Sequence, residues 1–188
     1  MLNSEINYVV SGLERSGTSL MMQMLHKASL PIASDESRPA DEHNPRGYYE
    51  LAGGKIINRL MDGTFDMHSH GGYIIKITAY GLKFLPKGNY RIIYMKRNVS
   101  EVLKSMQKMG ADIDMEKDRK LFSKLDRLSL ELMNDRDDIE HVTVNYRDLI
   151  DDPHKQMERI SGFLGEAFDV DAAIKAVEPS LYRNRIQT

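Results

Sequence analysis

The sequence predicts a three-layer α/β domain, a parallel sheet with helices on both faces. Three observations predict it. Short apolar runs rich in β-branched and aromatic residues recur at residues 6–10, 73–77, 91–95 and 141–145, and such runs suit strands buried on both faces. Helical patterns separate them, an alternation that favours parallel pairing through crossovers. No internal repeat or low-complexity linker divides the 188 residues, which are expected to form one domain over 1–188 with a sizeable core.

The elements follow in order. The first run leads into Ser11-Gly12-Leu13-Glu14-Arg15-Ser16-Gly17-Thr18-Ser19, a glycine-bounded turn into a helix whose apolar stripe is Leu20, Met21, Met24, Leu25 and Ala28. After the third run, Asn98-Val99-Ser100-Glu101 reads as a capping box that opens a helix through Met109. Leu121, Leu125, Leu128 and Leu132 recur at helical spacing in a long helix over about 115–135 and are expected in the core. Asp135-Arg136-Asp137-Asp138 reads as a solvated loop. Asp152-Pro153 starts a further helix to about Leu164, which Gly165 stops.

Composition narrows the function. A net charge of −2 gives no electrostatic case for nucleic acid or for anionic membranes, so any cationic site is local. The chain has no cysteine, which removes disulfides, thiolate catalysis and cysteine metal sites and suits a reducing, cytoplasmic setting. No apolar run approaches the roughly 18 residues of a membrane span, and Met1-Leu2-Asn3-Ser4-Glu5 does not read as a signal peptide. In sheets of this class ligands bind beyond the carboxyl ends of the strands, so the residues just after each run are the first place to look.

After the first run, Gly12-x4-Gly17 followed by Thr18-Ser19 is close to the nucleotide-binding P-loop spacing. The fold expected is therefore nucleotide-kinase-like. Such a loop aims backbone N–H groups and a helix N-terminus at an anion. One departure is informative: Thr18 stands where kinases of this type carry lysine, and the cation is Arg15 inside the loop. That argues against ordinary ATP chemistry. After the third run stands Arg97, with Ser105 two turns into the following helix. An arginine fork and a hydroxyl can grip a phosphate; the plainer alternative is an Arg97–Glu101 pair and a surface serine.

Arg15-Ser16-Gly17-Thr18-Ser19 resembles the 5′-phosphosulfate loop of sulfotransferases, which use 3′-phosphoadenosine 5′-phosphosulfate (PAPS). Arg97 and Ser105 resemble the same family's 3′-phosphate motif. Further blocks keep the family's order: Asn44-Pro45-Arg46-Gly47-Tyr48-Tyr49-Glu50 is similar to a bacterial sulfotransferase segment, and Ile74-Ile75-Lys76 to the strand that presents a lysine to the transferring group. Asn145-Tyr146-Arg147-Asp148-Leu149 with Asp152-Pro153 and Phe163-Leu164-Gly165 is similar to another block, with Arg147 in place of an acid. The resemblance implies transfer of a sulfuryl group from PAPS to a hydroxyl or amine of a small-molecule or glycan acceptor, leaving adenosine 3′,5′-bisphosphate, without a metal.

The resemblance also implies roles. Arg15, Ser16, Gly17, Thr18 and Ser19 would cradle the 5′-phosphosulfate, Arg97 and Ser105 the 3′-phosphate, and Lys76 would neutralise charge on the bridging oxygen. A base must take the acceptor's proton; Glu50 matches the family segment best, with His43, Glu42 and Asp41 as alternatives. Glu50 equally suits a solvated carboxylate opening a helix. Arg183 and Arg185 form a basic terminal segment, either a lid over the anionic donor or a frayed tail. His68-x-His70 lacks metal-ligating neighbours and reads as a polar loop, and Asp112, Asp114 and Asp118 do not fit a calcium loop. Two other functions compete: a small-molecule P-loop kinase using ATP and magnesium, and a nucleotide-binding protein without catalysis.

Overall fold

The computed structural model describes residues 1–35, 41, 44 and 47–178. Strand β1 (Asn7–Gly12) runs into helix α1 (Thr18–Lys27), followed by β2 (Ile32–Ala33), α2 (Ile56–Met61), β3 (Ile74–Lys76), β4 (Tyr90–Lys96), α3 (Val99–Gln107), α4 (Met115–Asp135), β5 (Ile139–Asn145), α5 (Tyr146–Asp151), α6 (Pro153–Leu164) and α7 (Val170–Ile174). Among the described residues the five strands form one parallel sheet in the order β2-β3-β1-β4-β5. The four strands expected from sequence are present. The two-residue edge strand β2 is additional, because a pair of residues carries no periodicity to read.

Period-two alternation sorts neighbouring strand residues onto opposite faces. Tyr8, Val10, Ile74, Ile93 and Met95 face a core layer with α1, α5, α6 and α7. Val9, Ile75, Ile92 and Tyr94 face the other layer, with α2, α4 and the 3₁₀ turn Ala79–Phe84. Three layers result, as expected. The register pairs Val10 with Lys76 and Gly12 with Met95, so β1, β3 and β4 end side by side, and the order of the sheet changes direction at β1. That edge is where a ligand crevice opens in such sheets.

Three local expectations are corrected. The Asn98 side chain does accept from Ser100 N at 2.9 Å, but Glu101 does not complete a capping box; its carboxylate bonds Arg97 Nε at 3.0 Å, because a buried cation outcompetes a backbone N–H. The α4 leucines are not all core: Leu125 and Leu132 pack inward while Leu121 and Leu128 face outward, since the stripe lies at the edge of the buried face. Residues 135–138 are not simply solvated. Arg136 clamps Asp138 at 2.6 Å and donates to Leu85 O at 2.8 Å and Pro86 O at 2.7 Å, while Asp138 accepts from Gly88 N at 2.9 Å. The Arg136 hydrogen bond, chiefly, holds the Asp138 carboxyl well below its usual range.

Candidate active site at the strand ends

The turn after β1 depends on two glycines. Gly12 adopts φ 144° and Gly17, which caps α1, adopts φ 105°, angles that a residue with a Cβ avoids. Space forbids a side chain as well: a Cβ on Gly12 would meet the Met95 carbonyl, and one on Gly17 would run into the Tyr146 ring. Between them Arg15 takes a left-handed φ of 63°, a strained conformation of the kind concentrated at ligand-binding turns. The N-cap residue of α1 makes no side-chain cap bond, so the first N–H groups of the helix are left available to a ligand. Ser16 Oγ is fully buried with no hydrogen-bond partner among the described residues, as suits a hydroxyl that completes its bonding with a ligand oxygen.

One cationic cluster stands on the β3 side of the turn. Lys76, the last residue of β3, is buried and donates from Nζ to Ser19 Oγ at 3.1 Å, Tyr48 O at 3.0 Å and Glu50 Oε1 at 3.0 Å. The Lys76 and Glu50 side chains are only 5% and 13% exposed. Glu50 is therefore not the solvated helix-opening carboxylate that its sequence also suited; it lies ahead of the short turn Ala52–Gly54 and faces inward. Asp41 is engaged elsewhere, accepting from Tyr48 OH at 2.7 Å and Asn44 N at 2.8 Å. Glu42, His43 and Arg185 lie outside the described residues.

A second cluster stands on the β4 side. Arg97 follows β4 and pairs with Glu101 at 3.0 Å, the two side chains 8% and 5% exposed. Its Nη1 donates to Arg15 O at 3.2 Å, bracing the turn, and its guanidinium stacks 4.4 Å above the Tyr146 ring. Ser105 is buried rather than superficial and accepts from Arg15 Nε at 3.2 Å. Burial pulls the Arg15 guanidinium below its ordinary value, Tyr48 opposing this and Arg97 adding to it. Two guanidiniums held so close favour an anion between them. Arg97 therefore makes the ion pair of the plainer alternative while also bonding the loop at Arg15 O.

The crevice has an uncapped helix end, an unpartnered buried hydroxyl and flanking cations, a set suited to a doubly phosphorylated ligand. The sulfotransferase domain family matches residues 5–185. The chain belongs to that family. Sulfuryl transfer is its chemistry, and PAPS is the family's donor. The fold agrees with two solved sulfotransferase domains. That of the Synechococcus PCC 7002 olefin synthase aligns with a TM-score of 0.61 and 18% identity, covering 100% of this chain and 90% of the other. That of the curacin biosynthetic pathway aligns with a TM-score of 0.55 and 14% identity, covering 91% and 77%. No curated protein matches the chain.

In this sulfotransferase two neighbours of the turn received no role of their own in the sequence reading. Tyr146 opens α5 directly after β5 and packs on both Gly17 and Arg97; burial raises its hydroxyl's pKa, with Arg97 and Arg15 opposing. Its place at a strand's carboxyl end was the available signal. Tyr48 supplies a carbonyl to Lys76; a backbone group leaves no motif. Glu101 pairs with Arg97, as the plainer sequence alternative had it. Among the described residues no three His, Cys, Asp or Glu residues cluster as metal ligands, and His70 instead stacks on Phe65 at 4.9 Å. No helix among the described residues is long and apolar enough to cross a membrane.

Proposed function

We propose that this sulfotransferase domain, spanning 1–188, holds PAPS with its sulfuryl end beside Lys76 and Glu50 and its 3′-phosphate toward Arg97. The acceptor is a hydroxyl or amine of a small molecule or glycan, and the cysteine-free composition supports a reducing, cytoplasmic setting. One observation carries this reading: two buried cation–carboxylate pairs flank the N-terminus of α1, one on each side. The N–H groups of residues 16–19 and the hydroxyls of Ser16, Thr18 and Ser19 cradle the 5′-phosphosulfate. Arg15 and Arg97 supply the forks for phosphate, with Ser105 adding a hydroxyl.

In the transfer, the acceptor's oxygen or nitrogen forms the new bond to sulfur while the bond from sulfur to the bridging phosphate oxygen breaks. The acceptor proton passes to the Glu50 carboxylate. Lys76 gives a hydrogen bond to the bridging oxygen as negative charge develops there. An ammonium has three donors, so this contact exchanges one existing bond, and the neutral Ser19 hydroxyl is the partner closest to the turn. Lys76 thus fixes Glu50 and stabilises the leaving group from one position.

Thermal unfolding with adenosine 3′,5′-bisphosphate, AMP and ATP–magnesium tests the reading. The bisphosphate is expected to raise Tm most, without added metal. Stabilisation by ATP–magnesium alone sinks it in favour of a kinase.

A further inference from the structure

Helix α1 turns one face toward the segment that carries Glu50. Ser19, Gln23 and His26 stand at i, i+4 and i+7, on one side of the helix. Each meets that segment or Lys76. Ser19 Oγ accepts from Lys76 Nζ at 3.1 Å, Gln23 Nε2 donates to Asn44 Oδ1 at 3.2 Å, and the His26 and Tyr49 rings lie 5.5 Å apart. Gln23 and Asn44 are both buried. Asn44 Nδ2 donates in turn to Gly47 O at 2.6 Å, and the next carbonyl, Tyr48 O, accepts from Lys76. Asn44 N and Tyr48 OH both donate to Asp41, which closes the network. Hydrogen bonds therefore lead from the middle of α1 to the Lys76–Glu50 pair. The segment needs such support. Tyr49 and Ala52 take left-handed φ angles of 53° and 54°, and backbone of this kind persists only where its surroundings impose it. The Glu50 carboxylate also fits closely, since a Cβ on Gly54 would come within 2.7 Å of its Oε2.

We propose that Gln23 is a positioning residue for sulfuryl transfer. Through Asn44 it clips the Glu50 segment to α1, and so holds Lys76 and Glu50 in register with the turn that receives the donor. A buried amide left without its partner is costly, so release of the segment would strand Gln23, and the clip favours the engaged arrangement. The turn at the start of α1 and the Lys76–Glu50 pair are then carried by one helix. This matters because a misplacement of about 1 Å between reacting groups can cost on the order of 10²-fold in rate. The effect on turnover rests on the reading of Glu50 as the base; the clip itself does not.

Gln23→Met keeps the length of the side chain and removes its hydrogen bonds. Hydrogen exchange of the ligand-free full chain should then be about tenfold faster over residues 47–55, with β4 and β5 unchanged. Asp35 N, which donates to Glu50 O at 3.0 Å, should exchange faster too. Asn44→Ala should act alike, and the double variant no more strongly than either alone. Single-turnover release of bisphosphate from PAPS, with water as the acceptor, should slow about tenfold or more in Gln23→Met while bisphosphate affinity holds. General destabilisation would not give that split. In a Glu50→Gln background, Gln23→Met should slow release no further. Exchange over 47–55 indifferent to Gln23→Met, bisphosphate affinity falling in step with turnover, or a full further loss on top of Glu50→Gln overturns the proposal. Glu50→Gln as active as wild type fails the base reading alone, and the exchange measurement then decides the clip.

Discussion

The two buried cation–carboxylate pairs beside the turn share a length of 3.0 Å and differ in almost everything else. Lys76–Glu50 joins the end of β3 to an irregular segment 26 residues earlier in the chain. Arg97–Glu101 is an i,i+4 pair at the start of α3. The lysine is a compact point charge that can follow charge onto a leaving oxygen, and its partner can accept a proton. The arginine is a planar fork, stacked on Tyr146 and tied to the Arg15 carbonyl, suited to fixed recognition. Under the proposed function, the contrast assigns the chemistry to the Lys76 side and selection of the ligand to the Arg97 side.

Four experiments can break or sharpen this contrast. Glu50→Gln has the largest expected effect. It keeps size and most hydrogen bonding but takes no proton, so turnover should fall about 10²–10⁴-fold while bisphosphate affinity stays near wild type. His43→Ala should cost far less. The reverse result, with Glu50→Gln fully active and His43→Ala dead, moves the base to His43 and erases the chemical half of the comparison.

Arg97→Ala should remove most of the preference for a 3′-phosphate, about 1.5–3 kcal/mol for a charge-assisted bond. Arg15→Ala should weaken AMP and the bisphosphate alike. Calorimetric affinities for both nucleotides decide the matter, and equal losses for both with Arg97→Ala would show that this side does not select.

Glu101→Gln strips the counter-charge from Arg97 while keeping the side chain's shape. The ligand-free protein should lose about 1–3 kcal/mol of stability, and the bisphosphate should then raise Tm by more than it does in the wild type, because a phosphate replaces the missing anion. An unchanged ligand response would make the pair purely structural. Removing residues 182–188, and with them Arg183 and Arg185, should weaken donor binding least, up to about fivefold, as expected for a solvated ion pair. Unchanged affinity would make the tail irrelevant to the donor.

Legibility in the sequence followed the range of each interaction. The turn from Gly12 to Ser19 could be read directly, because φ angles, close backbone approach and a helix start demand particular residues at fixed spacing. The helix from Asp152 to Gly165 could be read the same way, since a proline start and a left-handed glycine stop are local events, and Gly165 does adopt φ 69°. The i,i+4 pairing of Arg97 and Glu101 was visible as an alternative for the same reason. The edge strand β2, the clamp of Arg136 on Asp138 and the outward turn of Leu121 and Leu128 were not visible, because each depends on what lies beside the segment.

The sequence by itself determined a parallel α/β fold, a glycine-bounded turn into α1 and the residue types around it. Only the tertiary structure decided that Lys76 bonds Glu50 and Ser19, that Arg15 rather than Arg97 takes Ser105, and that Tyr146 walls the turn. The physical reason is that backbone conformation is chosen within a few residues, whereas a buried charge finds its partner from whichever strands and loops the sheet brings together.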